Sequence, residues 1–374
     1  LVEEGKLSLD DTLSKFLPDY PNGNHITVHE LLNHTSGIKS YTDIEGYMGA
    51  PIRADLDTEQ LIAVFKDHPV EFAPGTDFRY DNSGYVLVGA IIEKVTGKPW
   101  YEGIREQVLA PLALTHTGYG GEQALIPGRA AGYSIDEQRH TANAMYISMT
   151  QPGGGGGLVS TLDDLFHWLR ALHTGKLLDA AHYHRLITPV PTPSGKPTDY
   201  GYGVTTRTLR GERALEHGGR IPGFMAETLY LPAAAITVVV LSNSDSGSPD
   251  VELLATRLAA DALGKPYPQR RAIELSNAQM QALVGVYDMG DGVHRSVGVR
   301  DGKLYTQREG GGPHALLAAS ADELYFDEVL DYFTVVHDAA GRVIAPEQFE
   351  NGEGPPQRQP RLPQKVPDAS ATKH

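Results

Sequence analysis

The stretch over residues 74–97, PGTDFRYDNSGYVLVGAIIEKVTG, has a turn-forming front half and a patterned back half. Val86, Leu87, Ala90, Ile91 and Val95 recur at helical spacing, and Gly97 follows as a stop. The spacing predicts a helix from Asn82 or Ser83 to Val95. It leaves Tyr80 and Asn82 in the loop that enters the helix, where a phenol and an amide can point into one cleft. Asn82 can also be read simply as the helix cap. A second Tyr-x-Asn, Tyr20-Pro21-Asn22, has no comparable helix behind it.

Outward from this helix, a second one is predicted after Ser160-Thr161, with Asp163 and Asp164 in its first turn and Leu165, Phe166, Leu169 and Leu172 on its apolar face. Strand-like runs follow at 203–207, 226–231 and 236–241. A further helix is predicted from Ser248 as N-cap, Pro249 in the first position and Asp250 and Glu252 as early acids, stopping at Gly264. The polar, Pro-bearing segment GKPYPQRR marks a boundary. We expect a first domain over 1–264, a linker over 265–272 and a small β domain over 273–350. In the latter, SVGVRDGKLYTQ and YFTVVHDAAGRVI each read as two strands around a turn. From residue 351 the chain is rich in Pro, Gln and charge, and 351–374 is expected to be disordered.

Composition narrows the function. The chain has 374 residues, no cysteine and a formal charge of −15, with no basic stripe. This disfavours nucleic acid as a partner and excludes a thiol nucleophile, a disulfide scaffold and a Cys-based zinc site. The run AAAITVVVL at 233–241 is far shorter than the roughly 20 residues of a membrane span. Lack of cysteine fits either cytoplasm or periplasm, so the compartment stays open, as does the oligomeric state.

Four constellations could carry chemistry. His29-Glu30-Leu31-Leu32-Asn33-His34 nearly matches a zinc-binding helix, but its histidines are five apart and diverge by about 140° around a helix, with Asn33 in the ligand position. No metal site is expected there. The glycine run 153–157 lacks the Gly-Lys-Ser/Thr ending of a phosphate loop. It reads either as a pliable loop before a helix or as a place where backbone approaches a substrate. No Gly-x-Ser-x-Gly is present, which excludes an α/β-hydrolase nucleophile elbow. The fourth is serine–lysine chemistry, built from Ser-x-x-Lys, Tyr-x-Asn and a Lys/His-x-Gly strand. Tyr80 and Asn82 supply the second part; His217-Gly218-Gly219, in LEHGGRIPGF, supplies the third.

Seven segments in series, GKLSLDDTLSKFLPDYP, ITVHELLNHTSGI, FAPGTDFRYDNSGYVLVGAIIEKVTGKPW, GGGLVSTLDDLFHWL, YGYGV, HGGRIPGF and VVVLSNSD, resemble the serine β-lactamase-like family. That family joins class C β-lactamases, penicillin-binding DD-peptidases, D-aminopeptidases and related esterases. The resemblance covers roughly 1–262 and implies an α+β fold: an antiparallel sheet flanked by helices, plus a helical subdomain, with the site between them. It implies acyl transfer through a serine ester on a small ester, D-amino-acid amide or peptidoglycan-like peptide, without a cofactor. A periplasmic or secreted location would suit the family.

The resemblance makes Tyr80 the general base or proton relay, its pKa lowered by nearby cations. Asn82 would bind the substrate amide. His217 would stand where β-lactamases carry Lys, which argues against efficient β-lactam hydrolysis. Gly218, Gly219 and the backbone near Arg220 would line the substrate strand and supply half of an oxyanion hole. The opening LVEEGKL reads as the last turn of the helix that carries Ser-x-x-Lys in this family, placing the nucleophile about a dozen residues before Leu1. Two other matches exist. Ser36 with Lys39 lies in what reads as a loop, which does not stack the pair as a helix does. Ser370 with Lys373, in ASATKH, would fit a permuted chain. The alternative is a catalytically inactive, penicillin-binding-like ligand binder.

Overall fold

The computed structural model describes residues 1–121, 125–136, 140–192, 198–246 and 250–363, in two units, Leu1–Gly264 and Lys265–His374. Four helices build the first part of unit one. Thr27 and Glu30 close a capping box at the head of α1 (Val28–Leu32), and Asp57 and Gln60 close another on α2 (Thr58–Phe65). Helix α3 (Asn82–Thr96) is followed by the short α4 (Trp100–Ile104).

Asp81, rather than Asn82, caps α3: its carboxylate accepts the Gly84 N–H, and Gly97 ends the helix in the left-handed region at φ 69°. Asn82 is thereby released from capping duty. The apolar face predicted for this helix is buried, with Val86, Leu87, Ala90 and Ile91 set against Leu31, Leu61 and Phe65. Each such side chain contributes about 1.5–3 kcal/mol by leaving water.

The glycine run lies on the same helix. The turn Gly153–Gly155 packs so closely on α3 that a Cβ on Gly154 would stand 2.7 Å from the Tyr85 carbonyl oxygen. The backbone that approaches here is the protein's own helix.

Besides two short two-stranded ladders, the described residues of unit one form a sheet of four antiparallel strands in sequential order: β1 (Thr205–Leu209), β2 (Glu212–Ile221), β3 (Phe224–Leu231) and β4 (Ile236–Ser242). β1 starts two residues later than its pattern predicts, because Gly203 takes φ 72° and the Gly201 N–H bonds back from Val204 in a turn. Three more helices belong to this unit: α5 (Leu162–His173), capped by Thr161, α6 (Ala180–Ile187) and α7 (Val251–Ala262). Asp250 caps α7 through the N–H groups of Glu252 and Leu253; the expected cap Ser248 and Pro249 lie outside the described residues. Helices α5 and α7 pack on β3 and β4.

Unit two opens with α8 (Asn277–Leu283) and has two antiparallel sheets. One is formed by β5 (Gly285–Asp288), β6 (His294–Arg300), β7 (Lys303–Arg308) and β8 (Pro313–Ala315). The other is formed by β9 (Leu317–Ala318), β10 (Glu323–Tyr325), β11 (Tyr332–His337), β12 (Val343–Phe349) and β13 (Gln357–Arg358). Asp301 and Gly302 both take positive φ, 50° and 72°, as the tight turn between β6 and β7 requires.

Unit two also takes in the stretch expected to be a linker and part of the expected tail. The stretch expected to be a linker is built into unit two: Tyr267 is buried and donates to Glu353, and the Arg270 guanidinium lies 3.9 Å over the Tyr332 ring while pairing with Glu323. Residues 351–363 of the expected tail include paired backbone, and 364–374 lie outside the described residues. β13 pairs with β12, and the Leu362 N–H bonds the Val286 carbonyl. Its polar side chains satisfy buried groups, so a composition poor in apolar residues does not leave this segment unpaid for.

Candidate active site

Loop, turn and strand converge at one end of the sheet in unit one. Tyr80 comes from the loop before α3, Tyr200 from the turn before β1 and His217 from the middle of β2. The Tyr80 ring centroid is 6.4 Å from that of His217 and 6.0 Å from that of Tyr200. The Tyr200 hydroxyl and His217 Nε2 are 2.9 Å apart. Tyr80 is 44% exposed and Tyr200 only 7%, so Tyr80 is the phenol a solute can reach.

His34 forms the floor. It is 1% exposed, and its ring centroid lies 4.3, 4.8 and 5.1 Å from those of Tyr80, Tyr200 and Tyr85. The Asp81 N–H donates to His34 Nδ1 at 3.2 Å. Tyr85 is held by donating to the Leu32 carbonyl at 2.8 Å. His34 thus acts as the packing hub on which Tyr80 rests. His29, its partner in the near-zinc motif, turns elsewhere: its Nδ1 meets the Tyr202 hydroxyl at 2.5 Å and its Nε2 meets Asn33.

Burial sets the protonation states. His217 is held below the ordinary imidazole range, chiefly by burial and further by the nearby His34. Burial pushes Tyr200 far above the ordinary phenol range, with Tyr85 and Tyr80 adding to the effect. Tyr200 therefore stays protonated, and its hydroxyl can donate to Nε2 of a neutral His217 that carries its proton on Nδ1. Tyr80 is also raised, by burial and then by the charge of Asp81. Among the described residues no lysine or arginine counts among the groups that shift Tyr80, whereas an aspartate adjoins it.

Asn82 reaches across to the loop of 36–42. Its amide donates to Thr42 Oγ1 at 3.2 Å, and its backbone N–H donates to Ser40 Oγ at 3.1 Å. On β2, residues beyond Glu216 pair with β3 but not with β1, which ends its ladder at Thr205 opposite Glu216. One edge of the His217–Arg220 segment therefore has no strand partner among the described residues. Gly219 faces open space, its nearest neighbour being the Ala226 Cβ, while a Cβ on Gly218 would stand 2.6 Å from Glu227 Oε2. The Arg220 guanidinium is turned to Asp250 at the head of α7, 3.3 Å away.

Ser36 is fully buried in a loop, where its Oγ accepts the Ile38 N–H, and Lys39 pairs with Glu71 at 3.0 Å. The two are engaged separately and do not form a serine–lysine couple. Ser370 and Lys373 lie outside the described residues. Sequence reasoning missed Tyr200 and the floor role of His34. The signal for Tyr200 was present in YGYGV, an aromatic set in a glycine turn just before a strand.

Comparison with known proteins gives a consistent picture. Residues 1–263 match the protein family described as Beta-lactamase. A D-aminopeptidase of Gluconobacter oxydans is 27% identical over 283 residues, covering 75% of this chain and 51% of the relative. The chain thus spans about half the length of that enzyme. Among solved structures, a D-stereospecific amidohydrolase from Streptomyces sp. is 30% identical with a TM-score of 0.59, covering 66% of this chain and 77% of that one. The octameric penicillin-binding protein homologue from Pyrococcus abyssi is 27% identical with a TM-score of 0.65, covering 94% of this chain and 81% of that one.

Proposed function

This chain belongs to the Beta-lactamase family, and we propose that it carries the acid–base and oxyanion side of an acyl-transfer site for small D-amino-acid amides or esters. The observation that carries the reading is the meeting of Tyr80, Tyr200 and His217 from three separate segments beside an open strand edge. An amide substrate lies along that edge, its carbonyl oxygen taking a β2 backbone N–H near Arg220, while Asn82 binds its acyl side. His217, neutral and aligned by Tyr200, is the hydrogen-bonding partner for a proton that Tyr80 passes to the leaving amine. D-Stereospecific substrates are favoured because two of the similar proteins above are described by D-specific hydrolysis.

The nucleophile comes from outside the described residues. Ser36, Ser40 and Ser83, the serines nearest this loop, are all buried and already bonded, to Ile38, Thr42 and Lys39 respectively. A serine–lysine pair on a helix ahead of Leu1, where the family resemblance sets it, would also supply the cation needed to bring Tyr80 down into a working range.

Fluorophosphonate labelling followed by peptide mapping tests this. We expect no label on any described serine, and hydrolysis of D-alanine p-nitroanilide once a Ser-x-x-Lys helix precedes Leu1. A label on Ser36 would overturn the placement of the nucleophile, and one on Ser370 would assign it to the permuted alternative. If the extended chain binds D-amino-acid amides but stays inert with Tyr80 and His217 intact, the ligand-binder reading replaces the hydrolase.

A further inference from the structure

A cavity of about 390 Å³ opens beside α3, lined from that helix by Val86 and Glu93, and it shares no residue with the cluster around His34. Its wall is aromatic. Tyr101 and Tyr119 stack at 4.4 Å and 14°, and Trp100 meets Tyr119 edge-on at 5.1 Å. These rings are held from behind, since a Cβ on Gly157 would stand 3.1 Å from the Tyr119 ring and 3.2 Å from Trp100. Leu61 and Val86 form an apolar floor.

The remaining side is acidic. Asp55, Asp57 and Glu93 all line the cavity, and no lysine, arginine or histidine does so among the described residues. Each carboxylate is anchored through one oxygen. Asp55 Oδ1 accepts from Ser148, Asp57 Oδ1 accepts the Gln60 N–H, and Glu93 Oε1 accepts from both Thr58 Oγ1 and the Trp100 N–H. Three carboxylates, those of Asp55 and Asp57 exposed, and an aromatic wall lining one cavity supply the two elements that recognise an organic cation, charge and ring quadrupole. A cavity of this size falls at the lower end of the range for small-molecule sites, and the net charge of −15 adds long-range attraction for cations.

We propose that this cavity binds a small amphiphilic ammonium ion, with its apolar body against the half-buried Tyr101 and Tyr119 rings and its ammonium head toward the carboxylates. The site is separate from the hydrolytic reading above and does not depend on it. Helix α3 links it to that cluster, because Gly154, which lines the cavity, rests on the Tyr85 carbonyl.

The chain has two tryptophans, Trp100 and Trp168. In a Trp168→Phe background Trp100 is the sole fluorescent reporter, and it lies in the cavity wall. Titration with phenethylammonium is expected to give a saturable change in its emission. The neutral isostere 2-phenylethanol and the anion 3-phenylpropionate should bind at least about tenfold more weakly, the scale of one well-placed charge contact. Glu93→Gln, which keeps an acceptor for Thr58 and the Trp100 N–H, should weaken the amine about tenfold and leave 2-phenylethanol unchanged. Asp55→Asn provides an independent second variant with the same expected direction. Tyr80→Phe should leave amine binding unaltered.

Equal affinity for amine and alcohol would overturn the proposal by making the cavity merely apolar, as would an absent saturable signal at millimolar amine. Loss of binding in Tyr80→Phe would also overturn it, by moving the ligand to the cluster around Tyr80.

Discussion

The Tyr200 hydroxyl and His217 Nε2 lie 2.9 Å apart, joining the turn before β1 to the middle of β2. Because burial keeps Tyr200 protonated and His217 neutral, this bond favours the unprotonated imidazole. Tyr200→Phe removes the donor while preserving the ring and its packing. The His217 midpoint, followed by NMR titration of its ring Cε1–H, should move up toward the ordinary value, with a stability loss of about 1 kcal/mol. An unchanged or lower midpoint would show that burial alone sets the state of His217.

His173 should make the chain acid-sensitive. It stacks on Tyr230 at 4.6 Å, its Nδ1 meets the Tyr183 hydroxyl at 2.9 Å, and burial brings it down from 6.5 to about 4. Between these values the unfolded chain binds a proton that the folded chain refuses. Stability is therefore full above pH 6.5 and falls as pH drops toward 4, by about 1–3 kcal/mol. His173→Phe keeps the stacked ring without the titration. Thermal unfolding measured across this window should show a flatter acid limb in the variant than in the parent.

Glu227 has the opposite sign. It is 5% exposed on β3, and burial, with Glu216 and Glu252 nearby, pushes its carboxyl up to about 8. The folded chain holds a proton that the unfolded chain releases near 4.5, so this contribution is complete below pH 4.5 and is lost as pH rises through 8. Glu227→Gln mimics the protonated form at every pH. It should match the parent at pH 4.5 and exceed it by about 2–4 kcal/mol at pH 8.5 in urea unfolding. A variant that is less stable at both pH values would mean that the carboxylate has an ionic role in the folded chain.

The sequence revealed different parts of this molecule to different degrees. Helix α3 and strands β3 and β4 were legible because their burial repeats with the period of the element, and Gly97 ends α3 as expected. The helix starts at Asn82 as its pattern predicts; of the two good caps, Asp81 takes the position while the Asn82 amide turns to Thr42. Tyr200 carries no motif of its own; it becomes a site residue only when the turn folds back to His217. Motif resemblance transfers residue types but not their surroundings, and here an aspartate adjoins the Tyr80 phenol.

Composition misjudged the segment after Asn351, and the reason gives a final prediction. Arg295 on β6 is only 8% exposed, and a buried guanidinium needs acceptors. Gln359 supplies one at 3.1 Å and Gln348 another at 3.0 Å, while Gln359 also donates to Gln348 at 2.8 Å. Two residues on, Arg361 donates to the carbonyls of Ala282 and Val343. A polar tail thus completes a polar pocket that the rest of unit two cannot satisfy. Gln359→Ala should destabilise unit two by about 1–3 kcal/mol, because it strips an acceptor from a buried cation. Gln359→Glu, which restores an acceptor and adds charge, should recover most of that loss. Hydrogen exchange is the discriminating measurement: amides of β6 and β12 should lose protection in Gln359→Ala while those of α3 keep theirs. Equal protection of β6 in variant and parent would return this segment to the disordered state that its composition suggests.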